Sequence, residues 1–281
     1  MSKIEIFKKV LYEYIGCNDR LVEDLKTANK NKCLEIHLTA LFGSSAHYDS
    51  YNDYYSVNIG LKEIPQIYNK SIDVSVEYDD DVLLDLHNCY SDYGNLKCIL
   101  DVVQIHQDSY ITPTPAEILN LCDFLHKERI TRQDSITLLC FMFILYHELG
   151  HVIHDSSIER QLDKEYAADA YAYECIKSYC KGKDETLRKY IILSTIISIS
   201  SFLLKRTAAE EMDDVEHPHS VERIYLFLQS MEVEEDSPIW EYSLRIIGDW
   251  CRDNNINEAV IKGEKCSYKT QMLELYDYFK K

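Results

Sequence analysis

Along the first third of the chain apolar and polar positions alternate with period two, the mark of strands with one buried face. In 33–40, CLEIHLTA, Leu34, Ile36, Leu38 and Ala40 share one face while Glu35, His37 and Thr39 share the other. The stretch 55–61, YSVNIGL, repeats the pattern with Tyr55, Val57, Ile59 and Leu61, and 71–78, SIDVSVEY, does so with Ile72, Val74, Val76 and Tyr78. A fourth candidate, 98–106, CILDVVQIH, alternates less regularly. Between them lie segments rich in Gly, Asn, Asp and Ser, such as FGSSAHYDSYND (42–53) and YSDYGN (90–95), which read as turns. Short strands joined in this way predict a small antiparallel sheet with one wet face.

From 112–119, TPTPAEIL, the period becomes helical. Thr114, Pro115 and Glu117 have the form of a capping box with proline at the first helical position. Further helices are predicted over 132–154, 162–181, 186–206, 219–231, 238–253 and 268–280, with Gly182 as the stop of the second of these. No internal repeat and no low-complexity linker interrupts the chain. The expected fold is α+β, a small antiparallel sheet packed on a mainly helical body. A strand-rich region over 1–112 leads into a helical region over 113–281, the two forming one compact unit.

Two runs, 136–146 and 190–204, are almost wholly apolar. They hold 11 and 15 residues, short of the roughly 17–25 that a bilayer core requires, and the second contains several Ser and Thr. Buried core helices are the expectation, although basic residues flank the second run.

Charge narrows the partners. The 281 residues carry a net charge of −18, and a nucleic-acid footprint needs clustered Lys and Arg on one face. Neither nucleic acid nor an anionic membrane surface is an expected partner. The ten cysteines are scattered without a CxxC pair, and the first residues lack the apolar stretch and cleavage site of a signal peptide. Reduced thiols and a cytoplasmic location are therefore expected.

The chemistry begins where the first apolar run ends, in ILYHELGHVIHD (144–155). Ionisable side chains at the end of a buried helix need a partner, and a metal ion is the first candidate. On a helix His147 and His151 lie about 40° apart in azimuth and about 6 Å apart along the axis, so both imidazoles reach one ion. Glu148 points about 100° away from the first histidine, where a carboxylate serves water rather than the ion. This is the HExxH arrangement, with Glu148 as general base. Gly150 permits close packing beside it.

A metzincin pattern needs glycine at 154 and histidine at 157, and this chain has His154 and Ser157 there. His154 lies about 10 Å of rise from His147, too far to share its ion. The next helix reads KEYAADAYAYE, with Glu165 and Asp169 one turn apart and the small Ala167 and Ala168 between them. Glu165 would complete a His2Glu set with the fourth position open, as in catalytic zinc, and Asp169 would accept a hydrogen bond from a ligating histidine. The bland alternative is a solvated acidic face. A third element, EHPHSVERI (216–224), offers His217 or His219 as a donor to the oxyanion of carbonyl attack, with Arg223 locking carboxylates or orienting the loop. Alternatively it is an ordinary helix start.

The order HELGH, then ExxxD within EYAAD, then HP with an arginine six residues after that histidine resembles the gluzincin zinc peptidases. The motif order is similar to that of the HtpX-type membrane peptidases, and the overall layout resembles the phage-exclusion peptidases of the Lit type. The resemblance covers 147–223. It implies a zincin-like body, one zinc ion held by His147, His151 and Glu165, Glu148 as base, Asp169 behind a ligand, His217 as transition-state donor and Arg223 in support. It also implies an endopeptidase acting on an intracellular protein, in the Lit type a host translation factor cleaved in phage defence. Two rival expectations are an HtpX-like membrane-associated peptidase and a non-catalytic regulatory binding module that keeps zinc without needing Glu148.

Overall fold

The computed structural model describes residues 33–39, 44–49, 51, 54–60, 96–101, 132–154, 158–203, 206–256 and 266–279, with six single positions between 11 and 27. Four strands, β1 (Cys33–Thr39), β2 (Ser45–Asp49), β3 (Tyr54–Gly60) and β4 (Leu96–Asp101), form one sheet in the order β2-β3-β1-β4. The α+β class is as expected, but the sheet is mixed rather than antiparallel. β1 runs parallel to both β3 and β4, and only the β2–β3 pair is antiparallel.

The alternation of Val57 and Ile59, both fully buried, places one face of β3 inward as the pattern predicts. β2 falls in a segment expected to be a turn. Its polar Ser45, His47 and Asp49 conceal a strand whose Tyr48 pairs with Tyr55 across the hairpin, ring centroids 5.2 Å apart. The candidate strand 71–78, the capping box at 114–117 and the boundary expected at 112/113 lie outside the described residues.

Seven helices follow among the described residues: α1 (Arg132–His154), α2 (Gln161–Tyr179), α3 (Glu185–Leu203), α4 (Ala208–Met212), α5 (Ser220–Ser230), α6 (Pro238–Asp253) and α7 (Tyr268–Phe279). α1 is the hub. Every residue from 136 to 150 is buried, because α2 and α3 cover it from two sides while β2 and β3 lie against it from the sheet. A helix covered all round has no reason for a polar stripe, which is why its stretch 136–146 is almost wholly apolar.

α1 and α3 are long and apolar enough to cross a membrane, yet 89% and 72% of their apolar windows are buried within the protein. Buried Leu11, Tyr14 and Leu21 join this core from the amino-terminal segment, and the Tyr146 hydroxyl donates to the Tyr14 carbonyl at 2.5 Å.

The helix ends follow local chemistry. Gly182 adopts φ +75° three residues past α2, a left-handed conformation that glycine takes without a side-chain clash. Ser237 caps α6 ahead of Pro238 at its first position. α4, which the periodicity does not predict, is closed by a full capping box between Thr207 and Glu210.

Candidate metal centre

The two elements that carry the candidate ligands touch almost backbone to backbone. A Cβ built on Gly150 would lie 2.8 Å from Ala168 Cα and 3.1 Å from its carbonyl oxygen, closer than any larger residue permits. Glycine in a buried helix interior costs about 1 kcal/mol against alanine, and here it lets α2 approach the last turns of α1. His147 and His151 then face Glu165 across the seam.

His147 Nε2 and His151 Nε2 are 3.2 Å apart. Glu165 Oε2 lies 3.3 Å from the first nitrogen, and Oε1 lies 3.4 Å from the second. An ion bound tetrahedrally at about 2.0–2.1 Å holds its donor atoms about 3.3 Å apart, which the two histidine nitrogens match; with one Glu165 oxygen counted, the three donor atoms lie within 4.8 Å of one another. The chemistry of the set fits as well. Two imidazoles and a carboxylate that converge on one point bring lone pairs together, which is unfavourable unless a cation or a proton lies between them.

Behind this group stands a second layer. His147 Nδ1 donates to Asp169 Oδ1 at 2.9 Å, which turns its Nε2 lone pair toward His151 and Glu165. Arg223 grips Asp169 with two bonds, Nη2 to Oδ1 at 2.6 Å and Nε to Oδ2 at 2.8 Å. Its guanidinium lies 5.5 Å from the Phe143 ring centroid and 5.2 Å from that of Phe202, and the Tyr173 hydroxyl donates to its carbonyl.

The charges answer one another. Burial pushes Asp169 toward the neutral form, but Arg223 and His147 hold its carboxyl below the ordinary range. Burial likewise works against charge on His147, and Asp169 with Glu165 overcomes it, raising the imidazole to about 9. Glu165 is held low against its own burial, chiefly by His147. Glu148, on the turn that carries both histidines, is buried.

The structure brings His147, His151, Glu165, Asp169 and Arg223 into one connected cluster. Among the described residues, no hydrogen bond joins His217 to it. Its ring is 39% exposed, and its polar partner among the described residues is Asp214, which accepts from Nδ1 at 3.0 Å and from the His217 backbone N–H at 3.0 Å. His219 caps α5 instead. Its Nδ1 accepts from Val221 N–H at 3.2 Å, and its ring stacks on Phe279 at 4.4 Å. Burial lowers the pKa of this imidazole. His154 sits one turn beyond the cluster with its ring against Tyr171.

Sequence reasoning does not single out four further residues. Asp214 is itself gripped by Arg206, which also reaches Glu211, and Glu211 accepts from Ser220 N–H at 2.6 Å at the start of α5. Gln161 donates to Glu165 Oε1 at 3.1 Å. The Gln161–Glu165 spacing of four was a readable signal, whereas the carboxylates that hold the 206–220 segment are indistinguishable by sequence from the many solvated ones.

With this geometry in hand, the family model described as Peptidase U49 matches residues 105–243, a span that contains every residue of the cluster together with His217. The match supports a peptidase, hence a hydrolase acting on a protein substrate. No curated protein and no solved structure matches the chain.

Proposed function

We propose that the protein is a zinc-dependent endopeptidase of the cytoplasm. The observation that carries this reading is the convergence of His147 Nε2, His151 Nε2 and Glu165 on one point beside Glu148, within a span matched by a peptidase family. Zinc held by these three residues would supply Lewis acidity toward the scissile carbonyl and lower the pKa of water there toward about 7.

The chain's own residues divide the remaining work. Glu148 takes a proton from the attacking water as its oxygen bonds to the carbonyl carbon, and delivers that proton to the amine nitrogen as the C–N bond breaks. Asp169 holds His147 in the tautomer that presents Nε2, and Arg223 holds Asp169. His217, oriented through Nδ1 by Asp214, offers its other nitrogen to the developing oxyanion.

β2 is an edge strand, paired on one side with β3 among the described residues, and it lies against α1. The edge away from β3, which no other described strand pairs, suits an extended peptide added as a further strand. The ten scattered cysteines, five of them free thiols among the described residues, suit a reducing compartment. The resemblance to the Lit type supports phage defence as the setting and a translation factor as the substrate.

The test is the isosteric Glu148→Gln variant. New protein termini are compared in cells expressing it and cells expressing the parent, alongside zinc content. Termini present only with the parent, at equal zinc content, are expected. The same termini in both would overturn the peptidase reading of Glu148.

A further inference from the structure

Glu165 presents its two oxygens to the histidines almost equally, Oε2 at 3.3 Å from His147 Nε2 and Oε1 at 3.4 Å from His151 Nε2. A carboxylate so placed can grip an ion with both oxygens. Something has to break that symmetry if one coordination position is to stay clear for water.

Gln161 breaks it. One helical turn before Glu165 on α2, its side-chain Nε2 donates to Oε1 at 3.1 Å and leaves Oε2 without that bond. The bond occupies a lone pair of Oε1, so that oxygen is less available to an ion and Oε2 is left as the ligand.

We propose that Gln161 is a positioning residue of the metal centre, holding Glu165 to coordination through Oε2 alone and so keeping the fourth position open. The role rests on the zinc reading above. The amide suits it because it is a donor without charge, and a cation at this position would oppose the ion. The preceding Arg160 spends its guanidinium on Asp163, at 3.0 and 2.6 Å, and so leaves Glu165 to Gln161.

A surface glutamine that merely pairs with a glutamate four residues on would affect only the first turn of α2. The two roles separate spectroscopically. Cobalt(II) added to the metal-free full-length protein is the probe, since its visible absorption is intense in four-coordinate sites and weak in five-coordinate ones. In Gln161→Ala the absorption should fall toward the five-coordinate form, and zinc affinity, read by competition with a chelator, should weaken roughly tenfold. Thermal unfolding of the metal-free variant should match the parent. Gln161→Met, which keeps the length of the side chain without its donor, should show the same fall.

A parental spectrum and parental zinc affinity in Gln161→Ala would overturn this role while leaving the metal site standing. A parent protein that takes up neither cobalt nor zinc would overturn both.

Discussion

Replacing Gly150 with alanine sets two effects of known size against each other. Alanine stabilises a helix interior by about 1 kcal/mol relative to glycine, so the substitution would strengthen α1 in isolation. In the folded protein the new methyl carbon would sit 2.8 Å from Ala168 Cα and 3.1 Å from its carbonyl oxygen. Carbon atoms pack at about 3.5–4.0 Å, so α1 and α2 must separate by about 1 Å, and overpacking of this kind costs about 1–3 kcal/mol. The net change in the stability of the metal-free protein is therefore small, about 0–2 kcal/mol of loss.

The metal site should suffer far more. His147 and His151 belong to α1 and Glu165 to α2, and metal sites tolerate only about 0.2 Å of error in ligand distance. A separation of about 1 Å across the seam pulls Glu165 away from both nitrogens. Zinc affinity should fall at least about tenfold, and turnover roughly 100-fold, the usual effect of a 1 Å misplacement. Urea unfolding of the metal-free protein and chelator competition for zinc measure the two parts separately. Adding Ala168→Gly should rescue little, because it removes only the Cβ contact at 3.2 Å and leaves the Cα and carbonyl contacts in place. Parental zinc affinity in Gly150→Ala would refute the claim that this close approach sets the ligand geometry.

The remaining expectations follow the same layers. Purified protein should hold about one zinc per chain by elemental analysis, and His147→Ala, His151→Ala and Glu165→Ala should each lose it; full occupancy in Glu165→Ala would remove that residue from the ligand set. Asp169→Asn leaves one oxygen to serve both His147 and Arg223, so zinc affinity should drop about 10–100-fold in chelator competition, and the uncompensated charge of the buried guanidinium should cost about 3–5 kcal/mol in urea unfolding. Because the His147 imidazole is raised to about 9, zinc binding at neutral pH should displace close to one proton from it, seen by calorimetry in buffers of different ionisation enthalpy and fading as pH rises past that value. His217→Ala should lower single-turnover cleavage roughly 100-fold with zinc retained, whereas His219→Ala, which removes the cap of α5, should lower stability by about 1 kcal/mol; equal, near-parental turnover in both would leave the oxyanion without a histidine donor.

The parts legible in the sequence are those whose information is local. His147, His151, Glu165 and Asp169 sit at helical spacings of four, so their shared faces followed from the helix alone, and the small Gly150 and Ala168 announced that two helices meet there. Helix ends were legible where a single residue forces them, as at Gly182 and Pro238. β2 was not, because a five-residue edge strand with polar Ser45, His47 and Asp49 resembles a turn. The parallel pairing of β1 with β3 and β4 was not legible either, since alternation states which face is buried and says nothing of strand direction. Asp214 orients His217 from only three residues away, yet it is one of 48 acidic residues, and nothing short of the fold separates it from the solvated majority.

Charge accounting explains why this acidic chain places its cluster where it does. Glu148 near the end of α1 and Glu165 and Asp169 on α2 are all buried, and among the described residues one buried guanidinium, Arg223, accompanies them. With Glu165 and Asp169 ionised and the histidines neutral, Arg223 offsets one of their two charges and one negative charge remains. Burial of a net charge in a low-dielectric interior is strongly unfavourable. Arg223 is committed to Asp169 by two short bonds, so the remaining charge lies on Glu165, where the histidine nitrogens converge. A cation at that point offsets this charge. The elevated His147 pKa expresses the same demand, met by a proton drawn to the same carboxylates. The second layer thus does more than orient a ligand. By holding Arg223, the one buried arginine among the described residues, on Asp169, it leaves the carboxylate of Glu165 to a cation.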